Sequence, residues 1–295
     1  LVALLALAPW MQAAEVGTTF ATPEEAAQAL AKAAGEKDRD AVRAIFGLAT
    51  DELVAADPVQ MANDLGKFAD AFQVAHQLTK KSDTEMILDV GKDNWPFPIP
   101  LVKQGDRWYF DTDAGKDELL TRRIGRNELN TLETVRTYVD AQREYASRDR
   151  NGSEVLQYAQ KFNSTPGKKD GLYWSPDLDG EISPLGPLVA QAYEEGYRSK
   201  ASGKPVPYHG YYFKILTSQG PHAPGGRYNY IINGNMIAGF ALVAWPAQYG
   251  ESGIMTFIVN QQGRVYQKDL GPKTGKLASA MKEYDPDSSW HLSPD

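Results

Sequence analysis

Four histidines, His76, His209, His222 and His291, are the residues best suited to acid–base or metal chemistry in this chain. No two are close in sequence, and no H-E-x-x-H pairing exists, so a metallohydrolase is disfavoured. His209 in Pro-Tyr-His-Gly-Tyr-Tyr and His222 in Gly-Pro-His-Ala-Pro-Gly are the pair that could meet across a hairpin. His76 reads as a helical surface or boundary residue with no second ligand in view. Asp177-Leu178-Asp179-Gly180-Glu181 has the composition of a calcium loop but lacks the D-x-D-x-D-G spacing and the distal glutamate, so a solvated loop is expected. Asp285-Pro286-Asp287 is a weaker version of the same pattern. Gly271 to Lys276, GPKTGK, fails as a phosphate loop on residue count and on Leu277, which stands where Ser or Thr would bind Mg²⁺. Lys273-Thr274-Gly275 and the S-x-x-K of Ser279 to Lys282 occur in reversed order without S-D-N, and no G-x-S-x-G or G-x-G-x-x-G run is present. No catalytic residue, metal ligand or cofactor is expected from these patterns.

The other chemistry-bearing feature is aromatic. Tyr208, Tyr211, Tyr212, Phe213, Tyr228, Tyr230, Phe240, Trp245, Tyr249, Phe257 and Tyr266 crowd the last third of the chain. Strand alternation sends about half of such residues to a core and the rest to solvent, a sugar or a partner. Tyr208, His209, Tyr211, His222, Trp245 and Tyr249 form the candidate interaction surface.

The elements that position these residues are legible from periodicity. Asn127 to Arg148 is the strongest amphipathic helix, with Leu129, Leu132, Val135, Val139, Gln142 and Ala146 along one stripe. Before it, Thr22-Pro23-Glu24-Glu25 starts a helix with a cap, a favoured proline and a capping box, and Gly35 closes it. Further helices are expected near Arg39 to Phe46, Pro58 to Leu78 (carrying His76) and Lys116 to Ile124, the last ended by Gly125. Between them, Met86 to Val90, Phe97 to Lys103 and Arg107 to Asp111 alternate as strands. After the long helix comes an irregular, Gly- and Pro-rich region, Asn151 to Pro207, broken by a helix near Leu188 to Tyr197; loops this long generally cover or bind something. Strands follow at Tyr208 to Thr217, Arg227 to Ile232, Gly239 to Pro246, Ser252 to Asn260 and Arg264 to Lys268, then a helix near Lys276 to Glu283. The fold class is α+β in two domains: residues 15–126, a helix-then-antiparallel-sheet unit, and residues 127–295, a long helix laid on a four- to five-stranded antiparallel sheet.

Composition bounds the function. The 295 residues carry 42% hydrophobic and 23% charged side chains, a globular balance. Residues 15–126 hold 20 acids against 14 bases, a net of −6, and residues 127–295 hold 18 against 17, a net of −1. No basic run exists, which argues against nucleic acid. Leu1 to Ala8 has the size of a signal-peptide apolar region, and residues 1–14 are expected to be the remnant of such a peptide. No later segment reads as transmembrane. The absence of cysteine excludes disulfides and thiol chemistry. An exported bacterial protein, periplasmic or secreted, is expected, with an unknown protein or envelope component as partner.

Several runs carry a family resemblance. PYHGYYF (Pro207 to Phe213) and AGFALVAWPAQYGESGIMTFIVNQQGRVYQKDLG (Ala238 to Gly271) resemble the bacterial exported domain-of-unknown-function family 2950. The likeness extends through RRIGRNEL (Arg122 to Leu129), DNWPFPIPLVKQGDRWYFDT (Asp93 to Thr112) and FATPEEAAQAL (Phe20 to Leu30). It implies an exported compartment and an architecture but no site residues. The element order of the first domain, with its G-x-x-W-x-F ending, also resembles nuclear-transport-factor-2-type domains. The second half distantly resembles the globular part of type IV pilin-like proteins and pseudopilins, without their apolar anchoring helix. On residues alone, the first function expected is a non-enzymatic envelope module acting through contacts. Small-molecule or glycan binding is the alternative, and an unrecognised hydrolase comes third.

Overall fold

The computed structural model describes residues 17–47, 57–198 and 206–294. The expected signal segment lies outside them, as do residues 199–205 of the irregular region. The chain divides into two compact units, Leu1–Val54 with Asp64–Leu119, and Ala55–Asn63 with Leu120–Asp295. The architecture is α+β, with helices concentrated in the first half and sheet in the second. Among the described residues, no helix is long and apolar enough to cross a membrane.

In the first unit, α1 (Pro23–Gly35) is capped by Thr22, whose side chain accepts from the Glu25 amide at 3.1 Å. Glu25 in turn accepts from the Ala21 amide, closing the expected box one residue further back than the usual pairing. Helix α2 (Arg39–Phe46) is capped by Asp38 and buries Val42, Ile45 and Phe46. Helix α3 (Pro58–Val74) begins in the second unit and ends in the first. Its end corrects the expected helix to Leu78. His76 opens strand β1 (His76–Ser82), because Gln77 to Lys80 pair with β2 (Glu85–Val90) and the gain in sheet pairing outweighs another helical turn. The His76 ring stacks on Phe72, with centroids 3.8 Å apart, and its Nδ1 lies 2.9 Å from the Phe72 carbonyl oxygen. Strands β3 (Trp95–Pro96), β4 (Leu101–Gln104) and β5 (Arg107–Phe110) complete an antiparallel sheet ordered β1-β2-β4-β5, with β3 on β2. Phe46, Phe97 and Phe110 meet in its core.

Helix α4 (Thr112–Tyr145) is one continuous helix of 34 residues. Gly125 therefore does not end a helix. It is not among the glycines with positive φ, and the space around its missing side chain is open, so only the modest propensity cost of glycine opposes continuation. The expected boundary between residues 126 and 127 falls inside this helix, as does the division between the units. The helix stops at Tyr145 rather than Arg148. Arg150 folds back and donates to the carbonyls of Glu144 and Tyr145 at 2.6 and 2.7 Å, satisfying groups that the helix end leaves open.

In the second unit α4 lies over an antiparallel sheet. The strands of the unit, shared among separate sheets, are β6 (Tyr211–Leu216), β7 (Ser218–Gln219), β8 (Tyr228–Asn229), β9 (Ile231–Ile232), β10 (Asn235–Met236), β11 (Ala241–Pro246), β12 (Met255–Asn260), β13 (Tyr266–Asp269), β14 (Glu283–Tyr284) and β15 (His291–Leu292). The main sheet has the order β15-β13-β12-β11-β6. The expected strand Arg227 to Ile232 is split, because β8 pairs with β7 while β9 pairs with β10 in a separate hairpin. Val135, Tyr138 and Val139 of α4 pack with Phe240, Leu242 and Phe257, and the Tyr138 hydroxyl donates to the Ala241 carbonyl at 3.1 Å.

The irregular region after α4 is part of this core. Ala159, Leu172, Trp174 and Leu185 are buried in it. Gln142, a polar residue in the apolar stripe, is fully buried and clasps the loop: its amide donates to the Ala159 carbonyl at 2.8 Å, and its oxygen accepts from the Ala159 amide at 2.8 Å. What the loop covers is therefore α4 itself.

Candidate functional site

The groups that converge lie where α5 (Gly186–Glu194) and the turn before β6 meet the start of α3. Asp57 precedes Pro58 and caps α3, one carboxylate oxygen accepting from the amides of Val59 and Gln60 at 3.0 and 3.1 Å. Its other oxygen accepts from the Tyr197 hydroxyl at 2.6 Å and from the Gly210 amide at 3.3 Å. Tyr197, just beyond α5, in turn accepts from the His209 amide at 3.2 Å. Burial, then the Asp57 carboxylate, pushes the Tyr197 phenol far above its ordinary range, so it stays a neutral donor. The turn Tyr208-His209-Gly210 is tight, with φ of 48° at His209 and 76° at Gly210. Glycine is needed at the second position, since a Cβ there would sit 2.6 Å from the Asn127 side-chain nitrogen. Asn127 is itself fully buried, accepting from Gln60 at 2.5 Å and donating to the Ser252 carbonyl at 2.8 Å.

This network holds the His209 ring. Its Nε2 is 3.1 Å from a Glu195 carboxylate oxygen, and the ring lies 4.2 Å from Tyr208 and 5.7 Å from Tyr197, centroid to centroid. In front of it is a cleft of about 200 Å³. Helix α4 lines one side with Asn130, Glu133, Thr134 and Thr137, residues spaced to share a face. Helix α5 gives Pro187, Leu188 and Gln191, and the turn gives Tyr208 and His209. The lining is thus mainly amides and hydroxyls beside one ring, one imidazole and one carboxylate. Burial, then Glu195 and Glu133, raises the Tyr208 phenol well above its ordinary value, so its hydroxyl is neutral at physiological pH.

Of the six residues expected to form one surface, Tyr208 and His209 reach this cleft. Tyr211 does not lie on a surface: it is fully buried, donates to the Met255 carbonyl at 3.0 Å, and faces inward because the turn sets the strand's alternation. Trp245 is half-buried beside Tyr212, and Tyr249 donates to Asp269 at 3.1 Å. His222 and His209 have separate partners. His222 is held by Asp285, which accepts from its amide at 2.8 Å and lies 3.0 Å from its Nδ1.

Asp179 and Glu181 of the expected solvated loop both accept from Lys169, at 2.5 Å for Asp179. Arg148 and Arg150 also approach Glu181. Protein cations thus sit against these carboxylates. Among the described residues, no group of three or more His, Asp or Glu is arranged to hold a metal ion.

The His222 pair carries a pH prediction. Its hydrogen bond to Asp285, then the carboxylate's charge, raises the imidazole above its ordinary value. A raised folded-state value means that the contribution is complete below about pH 6.5 and is lost as pH rises through the folded value. The thermal midpoint of wild type should therefore exceed that of Asp285→Asn by more at pH 5.5 than at pH 9. A gap that widens with pH would refute this assignment.

Two compact α+β units, the second with a polar cleft, define the class of protein. The chain belongs to the family described as "Protein of unknown function (DUF2950)", which matches residues 17–292. No curated protein and no solved structure matches the chain.

Asp57, Glu195 and Tyr197 were not singled out from sequence. The only local signal was Asp57-Pro58, a helix start, and nothing local joins it to a tyrosine 140 positions later.

Proposed function

We propose that this is an exported bacterial protein, periplasmic or secreted, that acts by binding rather than by catalysis, and that its ligand is a small hydroxylated molecule such as one saccharide residue. The observation that carries this reading is the cleft. Asn130, Thr134, Thr137 and Gln191 bring neutral donors and acceptors to the volume of about one sugar ring, and Tyr208 adds ring surface. The polar groups behind it are hydrogen-bonded to one another, which supports a preformed site. Titration calorimetry of the mature protein with free monosaccharides tests this. Saturable binding, weakened at least about tenfold by Tyr208→Ala and unchanged by Trp245→Ala, is expected. Binding indifferent to Tyr208→Ala would exclude the cleft.

Contact with another envelope protein is the second reading. Leu156, Ile232 and Ile237 are 60%, 46% and 43% exposed on and beside the β9–β10 hairpin. This reading predicts that crosslinking in native envelopes captures a partner with wild type and not with Ile232→Asp; equal capture by both would remove the hairpin from consideration.

A further inference from the structure

We infer that the ligand of the cleft carries a protonated amine, which makes amino sugars the favoured class; this rests on the saccharide reading above. Among the described residues, the cleft lining contains Glu133 and no lysine or arginine. Glu133 is exposed and makes no ion pair among the described residues, whereas the second carboxylate nearby, Glu195, is already matched by His209 at 3.1 Å. Of the nearby cations on α4, Arg143 is paired with Asp140, and the Arg136 guanidinium reaches towards the Pro294 carbonyl, so neither forms a salt bridge with Glu133.

A cationic group placed beside Tyr208 meets the Glu133 carboxylate, with an electron-rich ring next to it. A neutral sugar would satisfy the amides and hydroxyls of Asn130, Thr134 and Gln191 but leave the Glu133 charge without a counterpart. An ammonium group in place of one hydroxyl supplies that counterpart without a change of size. A free carboxylate or phosphate on the ligand would be repelled.

Glucose and glucosamine separate the two levels of the argument, since they differ only at the 2-position. Both are titrated into the mature full chain and into Glu133→Gln, which keeps the shape of the side chain but removes its charge. Glucosamine is expected to bind wild type about two- to fivefold more tightly than glucose, the gain of one exposed ion pair. The two sugars should bind Glu133→Gln alike. Equal affinity for wild type would overturn the amine inference and leave the saccharide reading standing. A glucosamine preference that survives in Glu133→Gln would overturn the role of this carboxylate. Binding of neither sugar would overturn the saccharide reading and the inference together.

Discussion

Gly253→Ala is expected to destabilise the second unit by roughly 2–4 kcal/mol, a large effect for one added methyl group. The new Cβ would lie 2.1 Å from the Tyr211 hydroxyl oxygen, 2.5 Å from Cζ and 2.6 Å from Cε2. An aromatic ring on the surface would swing away. Tyr211 is fully buried, its hydroxyl is bound to the Met255 carbonyl, and Phe257 lies behind it, so the ring has nowhere to go in an interior packed like a crystal. Neither can Gly253 move freely, because its carbonyl accepts from the Gly250 amide at 3.0 Å and closes the turn before β12. Urea denaturation of four proteins tests this: wild type, Gly253→Ala, Tyr211→Leu and the double variant. The clash predicts strong non-additivity, with the glycine substitution costing little once the ring is gone. The same loss in both backgrounds would show that the cost lies in the turn and not in the ring.

Gln142→Leu is expected to cost about 2–5 kcal/mol, although leucine fills nearly the same volume and is the residue a helix stripe would favour. The loss comes from what is left behind. The Ala159 amide and carbonyl each have Gln142 as a partner, and the Tyr138 hydroxyl accepts from the same side chain at 3.0 Å. Gln142 and Ala159 are buried, so water does not replace these bonds without opening the loop. Hydrogen exchange at the Ala159 amide should accelerate in step with the drop in denaturation midpoint. An unchanged midpoint with a protected Ala159 amide would mean that the clasp contributes no net stability.

These two positions show how much of the molecule was legible beforehand. Periodicity located α4's buried stripe from Leu132 to Gln142, though Leu129, expected on it, is 69% exposed, and the alternation of the aromatic strands located the sheet, because both signals are local and repeat over many residues. The reach of α4 was underestimated, since a glycine in a helix and a glycine after one look the same until φ is known. The end of α3 was overestimated because strand pairing with a later segment decided it. The cleft was half legible. Tyr208 and His209 stood out by type, but Glu195, Tyr197 and Asp57 are ordinary residues whose meaning comes from being brought together. Tyr211 was misplaced for a related reason: period two says that neighbours alternate, and only the turn at His209 and Gly210 says which of them faces inward.

The cap of α3 has a practical consequence. The second unit takes its Asp57 to Asn63 segment from far upstream, ahead of the whole first-unit sheet. A fragment cut at the start of α4's second half would look like a complete domain by periodicity. It would nevertheless lack the acceptor for Tyr197 and Gly210, the Gln60 partner of Asn127, and the Asn63 amide that donates to the Glu195 carbonyl at 2.8 Å. For recombinant work the chain is best left whole from residue 57 onwards. During synthesis the same arrangement sets an order of events, for the turn that carries Tyr208 and His209 gains its full set of hydrogen bonds only by returning to a segment made some 150 residues earlier.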